Sequence, residues 1–216
     1  TLVNLVPNFY SATKGQVLID GVNADEYDRA ALLSAVSVVP QKAVLFEGTI
    51  RSNLLMGNPN ASEAELFSAL ETAQAAEIVR TKPNGIDEPV LRGGSNFSGG
   101  QKQRLSIARA LVHGGRILIL DDSASALDFA TDAKLRAAIR KLSPAPTTFI
   151  VSQRAASVMF ADFIIVLDEG RAVGQGTHEE LLRNCAVYRE IYASQFPDEA
   201  AKLSIPNTTP EGDAAK

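Results

Sequence analysis

Ser98-Gly99-Gly100-Gln101 carries more structural information than any other segment of this chain of 216 residues. Ser98 and Gln101 have the spacing of a capping box, in which a hydroxyl and an amide satisfy free backbone N–H groups at the start of a helix. A cap does not need the two glycines, because each costs about 1 kcal/mol in a helix relative to alanine. The free N–H groups and the positive end of the helix macrodipole attract an anion. The segment therefore predicts a helix whose N-terminus binds a phosphate at close range.

The sequence on both sides of this segment narrows the interpretation. An apolar helical run follows it at 105–111, and a strand pattern then ends in Asp121. With these flanks the segment resembles the signature motif of the ATP-binding cassette (ABC) family, in a resemblance that extends from Thr1 to about Gln195. Details at 48–53 and 174–181 resemble exporters in which the cassette and the membrane helices share one chain. The resemblance implies an α/β, three-layer fold of the P-loop NTPase type, with a mainly parallel sheet and an inserted α-helical subdomain.

The same resemblance predicts how the chain is organised. Residues 1–48 and 98–196 correspond to a partial RecA-like ATPase core, and residues 49–97 to a helical subdomain that leads into the signature motif. Residues 197–216 have the composition of a disordered tail. Alternating strand and helix patterns predict a parallel sheet with crossover helices. Strands are predicted at 16–20, 36–41, 117–121, 148–152 and 162–167, and a turn at 168–170 leads into a further strand. Helices are predicted at 1–10, 29–33, 63–75, 98–112 and 129–142, and closing helices follow at 177–192.

Composition excludes several classes of function. The chain has 21 basic and 25 acidic residues and a net charge of -4, so it has no positive field to hold a nucleic acid. The single cysteine, Cys185, excludes an internal disulfide and suits a reducing compartment. No apolar run approaches the roughly 20 residues of a membrane-spanning helix. We therefore expect no nucleic acid partner, and we expect the membrane helices of a transporter to lie outside these residues.

Two residues are candidates for holding a magnesium ion beside ATP. The apolar run at 117–120 predicts a buried strand that presents the Asp121 carboxylate at the edge where ligands of open α/β sheets bind. By resemblance this is a Walker B strand, and Asp121 helps to hold Mg²⁺ through its water shell. Gln41, after the strand pattern at 36–39, resembles the glutamine of the family's Q-loop. The resemblance implies that Gln41 contacts the Mg²⁺ and the attacking water and couples the site to a membrane domain.

Two positions depart from the family pattern at the catalytic site. Asp122 stands where a hydrolysing member usually has the glutamate that orients water, and aspartate is one methylene shorter. Displacement of a catalytic group by about 1 Å costs on the order of a hundredfold in rate. Gln153 stands where the family usually has its switch histidine, and glutamine has no cationic form. Together the two departures predict a degenerate half-site that hydrolyses ATP slowly.

The remaining motifs point to a partner subunit. In dimers of the family, each ATP lies between the Walker motifs of one subunit and the signature motif of the other. Residues 98–101 would therefore complete the partner's ATP site. Ser125 and Asp128 belong to a segment that resembles the D-loop, which crosses to the partner, although Asp128 also has the position of a helix cap. A weak site on one side and a complete signature on the other favour a heterodimer.

The phosphate loop G-x-x-x-x-G-K-[ST] occurs nowhere in the chain. The residues from Thr1 match those that directly follow this loop in the family, and Thr1 itself is a candidate nucleotide-binding residue. We therefore expect the given sequence to begin just after the Walker A motif, and we expect this fragment by itself to be inactive. The resemblance implies ATP and Mg²⁺ as ligands, a second ABC subunit and a transmembrane domain as partners, and a location at the cytoplasmic face of the cell membrane.

Three functions remain open at this point. The first is the ATPase domain of an ABC exporter. The second is a regulatory module that binds ATP without hydrolysing it. The third is a soluble ABC ATPase outside transport, which the acidic balance and the short interval between Thr1 and Ser98 disfavour.

Overall fold

The computed structural model describes residues 2–202 of the chain. In chain order its strands are β1 (Leu18–Ile19), β2 (Val22–Asn23), β3 (Val36–Val39), β4 (Gly48–Thr49), β5 (Pro89–Val90), β6 (Ile117–Asp121), β7 (Thr147–Val151), β8 (Ile164–Asp168) and β9 (Arg171–Gly176). Its α-helices are α1 (Arg29–Ala35), α2 (Ile50–Leu55), α3 (Glu63–Thr72), α4 (Ala76–Arg80), α5 (Gly99–His113), α6 (Phe129–Arg140), α7 (Ala155–Val158), α8 (His178–Asn184), α9 (Ala186–Gln195) and α10 (Pro197–Lys202). The chain divides into two compact units, Thr1–Ser152 and Gln153–Lys216. No helix in the described part of the chain combines the length and the apolar character of a membrane span.

The first unit is organised around a parallel sheet with the strand order β3-β6-β7. β6 lies in the middle, which explains its unbroken apolar sequence, since Leu118, Ile119 and Leu120 are at most 2% exposed. In the register, Val39 pairs with Leu120 and Asp121 pairs with Val151. The predicted α/β class with a parallel sheet is confirmed, and the carboxyl ends of all three strands lie at one edge.

α5 is the helix that joins the sheet to the helices from the middle of the chain. It packs against β3 on one side and against α2 and α3 on the other. Leu105 and Ile107 of α5 belong to the same buried cluster as Leu54 and Leu70. The helix ends at Gly114, whose φ of 72° gives the left-handed cap that glycine favours. The predicted helix at 98–112 is therefore confirmed within one residue at each end.

Several strands pair outside the parallel sheet. β1 with β2, β4 with β5, and β8 with β9 form antiparallel pairs. The predicted turn at 168–170 into a further strand is confirmed, and in the described residues β8 pairs with β9 as an antiparallel hairpin and not with the parallel sheet. The connection contains Glu169 and Gly170 with φ values of 45° and 76°, which suit a tight hairpin turn.

The predicted helix at 1–10 is wrong. A 3₁₀ helix spans Leu2–Leu5, and turns follow it. Pro7 has no N–H for a helical hydrogen bond, and Asn8 adopts a left-handed φ of 52°. Asn8 and Phe9 instead close turns by donating their N–H groups to the carbonyls of Leu5 and Asn4. The local break at Pro7 therefore outweighs the helical spacing of the apolar residues.

The prediction of a disordered tail from residue 197 is wrong for its first six residues, which form α10. Pro197 occupies the first helical position, where a missing N–H costs nothing. The helix is fixed on α9 because the Tyr192 hydroxyl donates a 2.6 Å hydrogen bond to Glu199, and Ala200 is only 2% exposed. Residues 203–216 of the predicted tail lie outside the described residues.

Candidate functional site

Polar side chains gather at the carboxyl edge of the parallel sheet. Gln41 follows β3, Asp121 ends β6, and Asp122 comes directly after it. Because β3 and β6 pair in parallel, residues that are 81 positions apart in sequence meet at this edge. The Gln41 side-chain amide donates a hydrogen bond to Asp122 Oδ2 at 3.1 Å. The structure thus joins Gln41 and Asp122 directly, and Asp121 ends the same strand at this edge.

The backbone of Asp122 is held in an unusual conformation. Its φ is 47°, in the left-handed region, which aspartate adopts more readily than most side chains. Its N–H donates to the Val151 carbonyl at 2.9 Å, and its own carbonyl accepts from the Ser125 N–H and hydroxyl at 3.2 and 2.8 Å. These bonds fix the start of the carboxylate side chain, so its short reach cannot easily be compensated by backbone movement.

The donor atoms at this edge fit a magnesium ion in chemical type. Mg²⁺ prefers oxygen ligands and is usually held by one or two carboxylates together with water and substrate phosphates. Asp121 and Asp122 offer carboxylates, and the Gln41 amide oxygen is the end of that side chain not engaged with Asp122. Within residues 2–202 no group of three or more histidine, cysteine, aspartate or glutamate side chains is placed to hold a metal. With two carboxylates and one amide oxygen on offer, the edge suits an ion that takes its other ligands from water and phosphate.

The predicted capping box at the start of α5 is confirmed. The Ser98 hydroxyl accepts from the Gln101 N–H at 3.3 Å, and the Ser98 N–H donates to Gln101 Oε1 at 3.0 Å. Both side chains are thus used to close the helix. The N–H groups of Gly99 and Gly100 belong to the first turn and have no partner within the helix. These two donors are the groups that this helix offers to an anion.

Different structural reasons explain why glycine occupies each of the two positions in this turn. A Cβ at Gly100 would lie 3.1 Å from the backbone oxygen of Ala126, so the residue is small because the chain itself packs there. A Cβ at Gly99 would meet no other part of the described chain within 4 Å. Close approach of a ligand was predicted to account for both glycines. Packing inside the chain accounts for Gly100, and only Gly99 faces open space.

The segment that contains Ser125 and Asp128 connects the strand edge to α6. Ser125 is bonded to the Asp122 carbonyl, as described above. Asp128 caps α6, since its Oδ1 accepts from the Thr131 N–H at 2.9 Å and its Oδ2 from the Thr131 hydroxyl at 2.8 Å. The Thr131 N–H holds the pKa of the Asp128 carboxyl below its ordinary value. The capping role of Asp128 is confirmed, and its role at a partner subunit stays a prediction.

Two further residues were predicted to contact the nucleotide, Thr1 and Gln153. Thr1 lies outside the described residues. Gln153 is the first residue of the second unit, and its side chain is exposed. Its backbone carbonyl accepts from Gln195 Nε2 at 2.8 Å, and Gln195 Oε1 accepts from the Ala155 N–H at 2.9 Å. Gln195 of α9 thus fixes the backbone at Gln153, and the role of this side chain beside a phosphate stays a prediction.

A groove of about 270 Å³ was missed by the sequence analysis. Phe46 and Met56 line it with side chains that are 50% and 53% exposed. Arg109 of α5 also lines it, with the guanidinium carbon 5.6 Å from the centre of the Phe46 ring. Arg109 Nη2 donates to the Val44 carbonyl at 3.1 Å, whereas Nη1 is buried and bonds to none of the described residues. Burial lowers the pKa of Arg109. No sequence pattern predicts this groove, because its residues are far apart in the chain.

Comparison with known proteins gives consistent matches. The family described as "ABC transporter" matches residues 1–125. The chain is 46% identical over 198 residues to an "Uncharacterized ABC transporter ATP-binding protein" of Mycobacterium tuberculosis, with 90% of this chain and 34% of the relative covered. It is 40% identical over 195 residues to a "Putative multidrug export ATP-binding/permease protein" of Staphylococcus aureus, with the same coverage of 90% and 34%.

A solved structure supports the same relationship. The fold superposes with a TM-score of 0.86 and 37% sequence identity on the structure of a bacterial Atm1-family ABC exporter with ATP bound, over 90% of this chain and 34% of the other. The chain therefore spans about a third of the length of the proteins that it matches.

Proposed function

The chain belongs to the ABC transporter family, and on this basis we propose that it serves an exporter by coupling ATP binding and hydrolysis to the movement of a solute across a membrane. The observation that carries this proposal is the arrangement within one unit of two complementary half-sites. One is the N-terminus of α5 with its two free glycine N–H groups. The other is the strand edge with Gln41, Asp121 and Asp122. Neither half-site is complete by itself, which suits a site shared between two subunits.

We assign the two half-sites different tasks. The N–H groups of Gly99 and Gly100 would stabilise the terminal phosphate of ATP bound mainly by a partner subunit. At the strand edge, Asp121 and the Gln41 amide oxygen would hold Mg²⁺, which when bound neutralises phosphate charge. Asp122 would orient the water at this edge, but its carboxylate is one methylene short and bonded to Gln41. The proposal is therefore an asymmetric pair in which this chain completes the faster site and forms the slower one.

The groove at Phe46, Met56 and Arg109 is a suitable docking surface for the membrane part of the transporter. Its exposed apolar side chains would be covered by a helix from a partner. The Arg109 guanidinium lies beside the Phe46 ring and adds a positive charge to this mainly apolar surface. The relatives named as ATP-binding/permease proteins support a membrane partner on the same full-length chain.

The test is a transport assay on the full-length protein together with its partner subunit in lipid vesicles. We expect ATP hydrolysis and ATP-dependent movement of a solute out of the compartment where ATP is bound. The test variant is Gly99→Ala, which should lower ATP hydrolysis by blocking the approach of the phosphate. It adds one methyl group in open space and so leaves the fold intact. ATP hydrolysis that the variant leaves unchanged would contradict the assigned role of α5.

A second candidate function is a regulatory module that binds ATP without turnover. The departures at Asp122 and Gln153 favour it, because both remove groups that speed hydrolysis. The same vesicle assay separates the two functions. In a regulatory module, ATP binding alone changes transport and no phosphate is released at either site, whereas the exporter domain releases phosphate at the site that α5 completes.

A further inference from the structure

His113, the last residue of α5, lies between two segments of the first unit. Its Nδ1 is 3.2 Å from the Gly57 carbonyl oxygen, and its Nε2 is 3.0 Å from the Leu33 carbonyl oxygen. Gly57 follows α2, and Leu33 belongs to the last turn of α1. One imidazole ring thus connects three helices at the wall of the groove, which His113 also lines.

The chemistry of this contact depends on the proton content of the ring. A carbonyl oxygen only accepts hydrogen bonds. A neutral imidazole has one N–H donor and one lone pair, whereas the protonated ring has two donors. The neutral ring can therefore satisfy one of the two carbonyls and turns a lone pair toward the other. The protonated ring donates to both, so gaining a proton strengthens the connection and losing it weakens the connection.

Both carbonyls need a donor from outside their own helix. The Leu33 carbonyl lies in the last turn of α1, where carbonyls have no partner within the helix. Gly57 lies directly on the last turn of α5, since a Cβ at this position would overlap the Arg109 carbonyl oxygen. The backbone at Gly57 therefore cannot move toward α5, and His113 is the side chain that bridges to it.

The charged groups around His113 act in two directions. The carbonyls at the C-terminus of α5 favour a cation. The charged side chains on the elements that contact His113 are all basic, namely Arg29 on α1, Arg51 on α2, Lys102, Arg104 and Arg109 on α5, and Arg116 after its end. Lys102 and Arg104 precede His113 by about two and a half turns or more, and Arg104 donates to the Gln74 carbonyl. Segments 29–35 and 50–58 contain no carboxylate, and β3 carries no charge. Arg51 is paired with Glu63 and Asp87, and Arg116 with Asp20. Arg109 is thus the neighbouring charge that opposes protonation.

We propose that His113 is a positioning residue whose protonation fastens the Met56–Gly57 wall of the groove to α1 and α5. The helix α5 has 15 residues and carries the signature turn at its other end, about 22 Å away. When residues 56 and 57 are held firmly on α5, a displacement at the groove moves α5 and with it the turn at its N-terminus. When they are held loosely, residues 56 and 57 move alone and α5 stays in place. This consequence rests on the proposed function, whereas the connection itself does not.

The test uses hydrogen exchange on the full-length protein, read at the amides of Met56 and Gly57 between about pH 6 and about pH 8, the range in which histidines change charge. After correction for intrinsic exchange, we expect wild-type protection to be about tenfold higher at the lower pH, because a hydrogen bond from a charged donor is gained. His113→Gln, which is neutral throughout, should show no such change, and His113→Arg should show high protection at both pH values. His113→Asn serves as a second neutral variant should the glutamine fail to fold.

The control is His178→Gln, which removes the chain's other histidine and lies in the second unit. It should keep the wild-type pH dependence of exchange at residues 56 and 57. In the same samples kcat for ATP should fall with rising pH in wild type, with KM unchanged, and this trend should be absent in His113→Gln. Equal exchange profiles for wild type and His113→Gln would overturn the inference. The predicted exchange without any ATP hydrolysis would instead overturn the proposed function and leave the inference standing.

Discussion

The Gln41 side-chain amide donates to Asp122 Oδ2 at 3.1 Å, although the two residues are 81 positions apart. The contact exists because Gln41 follows β3 and Asp122 follows β6, which are parallel neighbours. It occupies one oxygen of the carboxylate that would otherwise orient water, on a residue whose backbone is held at a φ of 47°. A short, fixed and partly engaged acid is a poor base, which is the physical reason for expecting slow hydrolysis at this edge.

Replacing Gln41 tests its assignment to Mg²⁺. Gln41→Leu would free Asp122 Oδ2 but would also remove the amide oxygen that we assign to Mg²⁺. We therefore expect the apparent affinity for Mg²⁺, measured through ATP binding to the full-length protein, to fall by about tenfold. Gln41→Glu keeps an oxygen donor and should restore most of the Mg²⁺ affinity. Titration of ATP binding with Mg²⁺ measures both variants, and an affinity that leucine leaves unchanged would argue against the assignment.

The two capping boxes of the first unit provide a matched pair. Ser98 caps α5 and Ser62 caps α3, each with a reciprocal bond to the side chain three residues later. Replacing either serine by alanine should lower the free energy of unfolding by about 1 kcal/mol. Only Ser98→Ala should also lower ATP turnover of the assembled transporter, because only α5 faces a phosphate in our proposal. Denaturant unfolding and steady-state hydrolysis measure the two effects, and equal turnover of the two variants would contradict the role of α5.

The glycines of the signature turn should separate stability from function. Gly100→Ala places a methyl group 3.1 Å from the Ala126 oxygen, so we expect a loss of about 1 kcal/mol in the free energy of unfolding. Gly99→Ala meets open space, and its free energy of unfolding should stay within about 0.5 kcal/mol of wild type. Thermal unfolding of both variants checks this order. A larger loss for Gly99→Ala than for Gly100→Ala would contradict the packing of Gly100 against Ala126.

Much of this arrangement could be predicted from local sequence. α5 and β6 have strong local signals, namely a capping box, a terminal glycine and an unbroken apolar run, and these signals agree with how each element packs. The prediction of a helix at 1–10 was wrong because Pro7 and Asn8 break the helix locally. α10 was missed because a helix of only six residues is not stable by itself, whatever its composition, and contacts with Tyr192 and other residues of α9 hold it in place.

In the candidate site, too, local sequence predicts single residues but not the contacts between distant ones. The residues at the strand edge could be predicted individually, because each directly follows a strand pattern, but the hydrogen bond between Gln41 and Asp122 depends on the order of the strands. The groove and the His113 connection could not be predicted, because they join residues that are distant in sequence and share no spacing. The reason for Gly100 likewise became visible only through its contact with Ala126.

Replacing Met56 tests whether the groove binds the membrane domain, and Leu18 offers a matched control. Met56 and Leu18 are both 53% exposed, and only Met56 lines the groove. Replacing either by glutamate should change the free energy of unfolding by no more than about 0.5 kcal/mol, because both side chains are half in solvent. Met56→Glu should reduce the stimulation of ATP hydrolysis by transported solute, since a charge would be buried against the membrane domain. Leu18→Glu should leave that stimulation unchanged, and a shared loss would point to a general effect of surface charge.

The cap of α6 predicts a dependence on acid. The pKa of Asp128 lies below its unfolded value because the Thr131 N–H donates to it, so its ionised form stabilises the fold. This contribution is complete above the ordinary aspartate pKa of about 3.9 and is lost as the pH falls through the lower folded value. Asp128→Asn keeps a capping oxygen but cannot titrate. Its unfolding should therefore depend less on pH below about pH 4 than that of wild type, as measured by acid titration of the circular dichroism signal.

The asymmetry of the two ATP sites is measured by replacing one acid at a time in the assembled full-length pair and following steady-state ATP hydrolysis. We predict that Asp122→Asn lowers the total rate by less than about twofold, because a slow site contributes little to it. Replacing the partner's corresponding acid should lower the rate by about a hundredfold or more. Asp122→Glu combined with Gln153→His should speed hydrolysis at the slow site. Equal losses from the two single replacements would contradict the account.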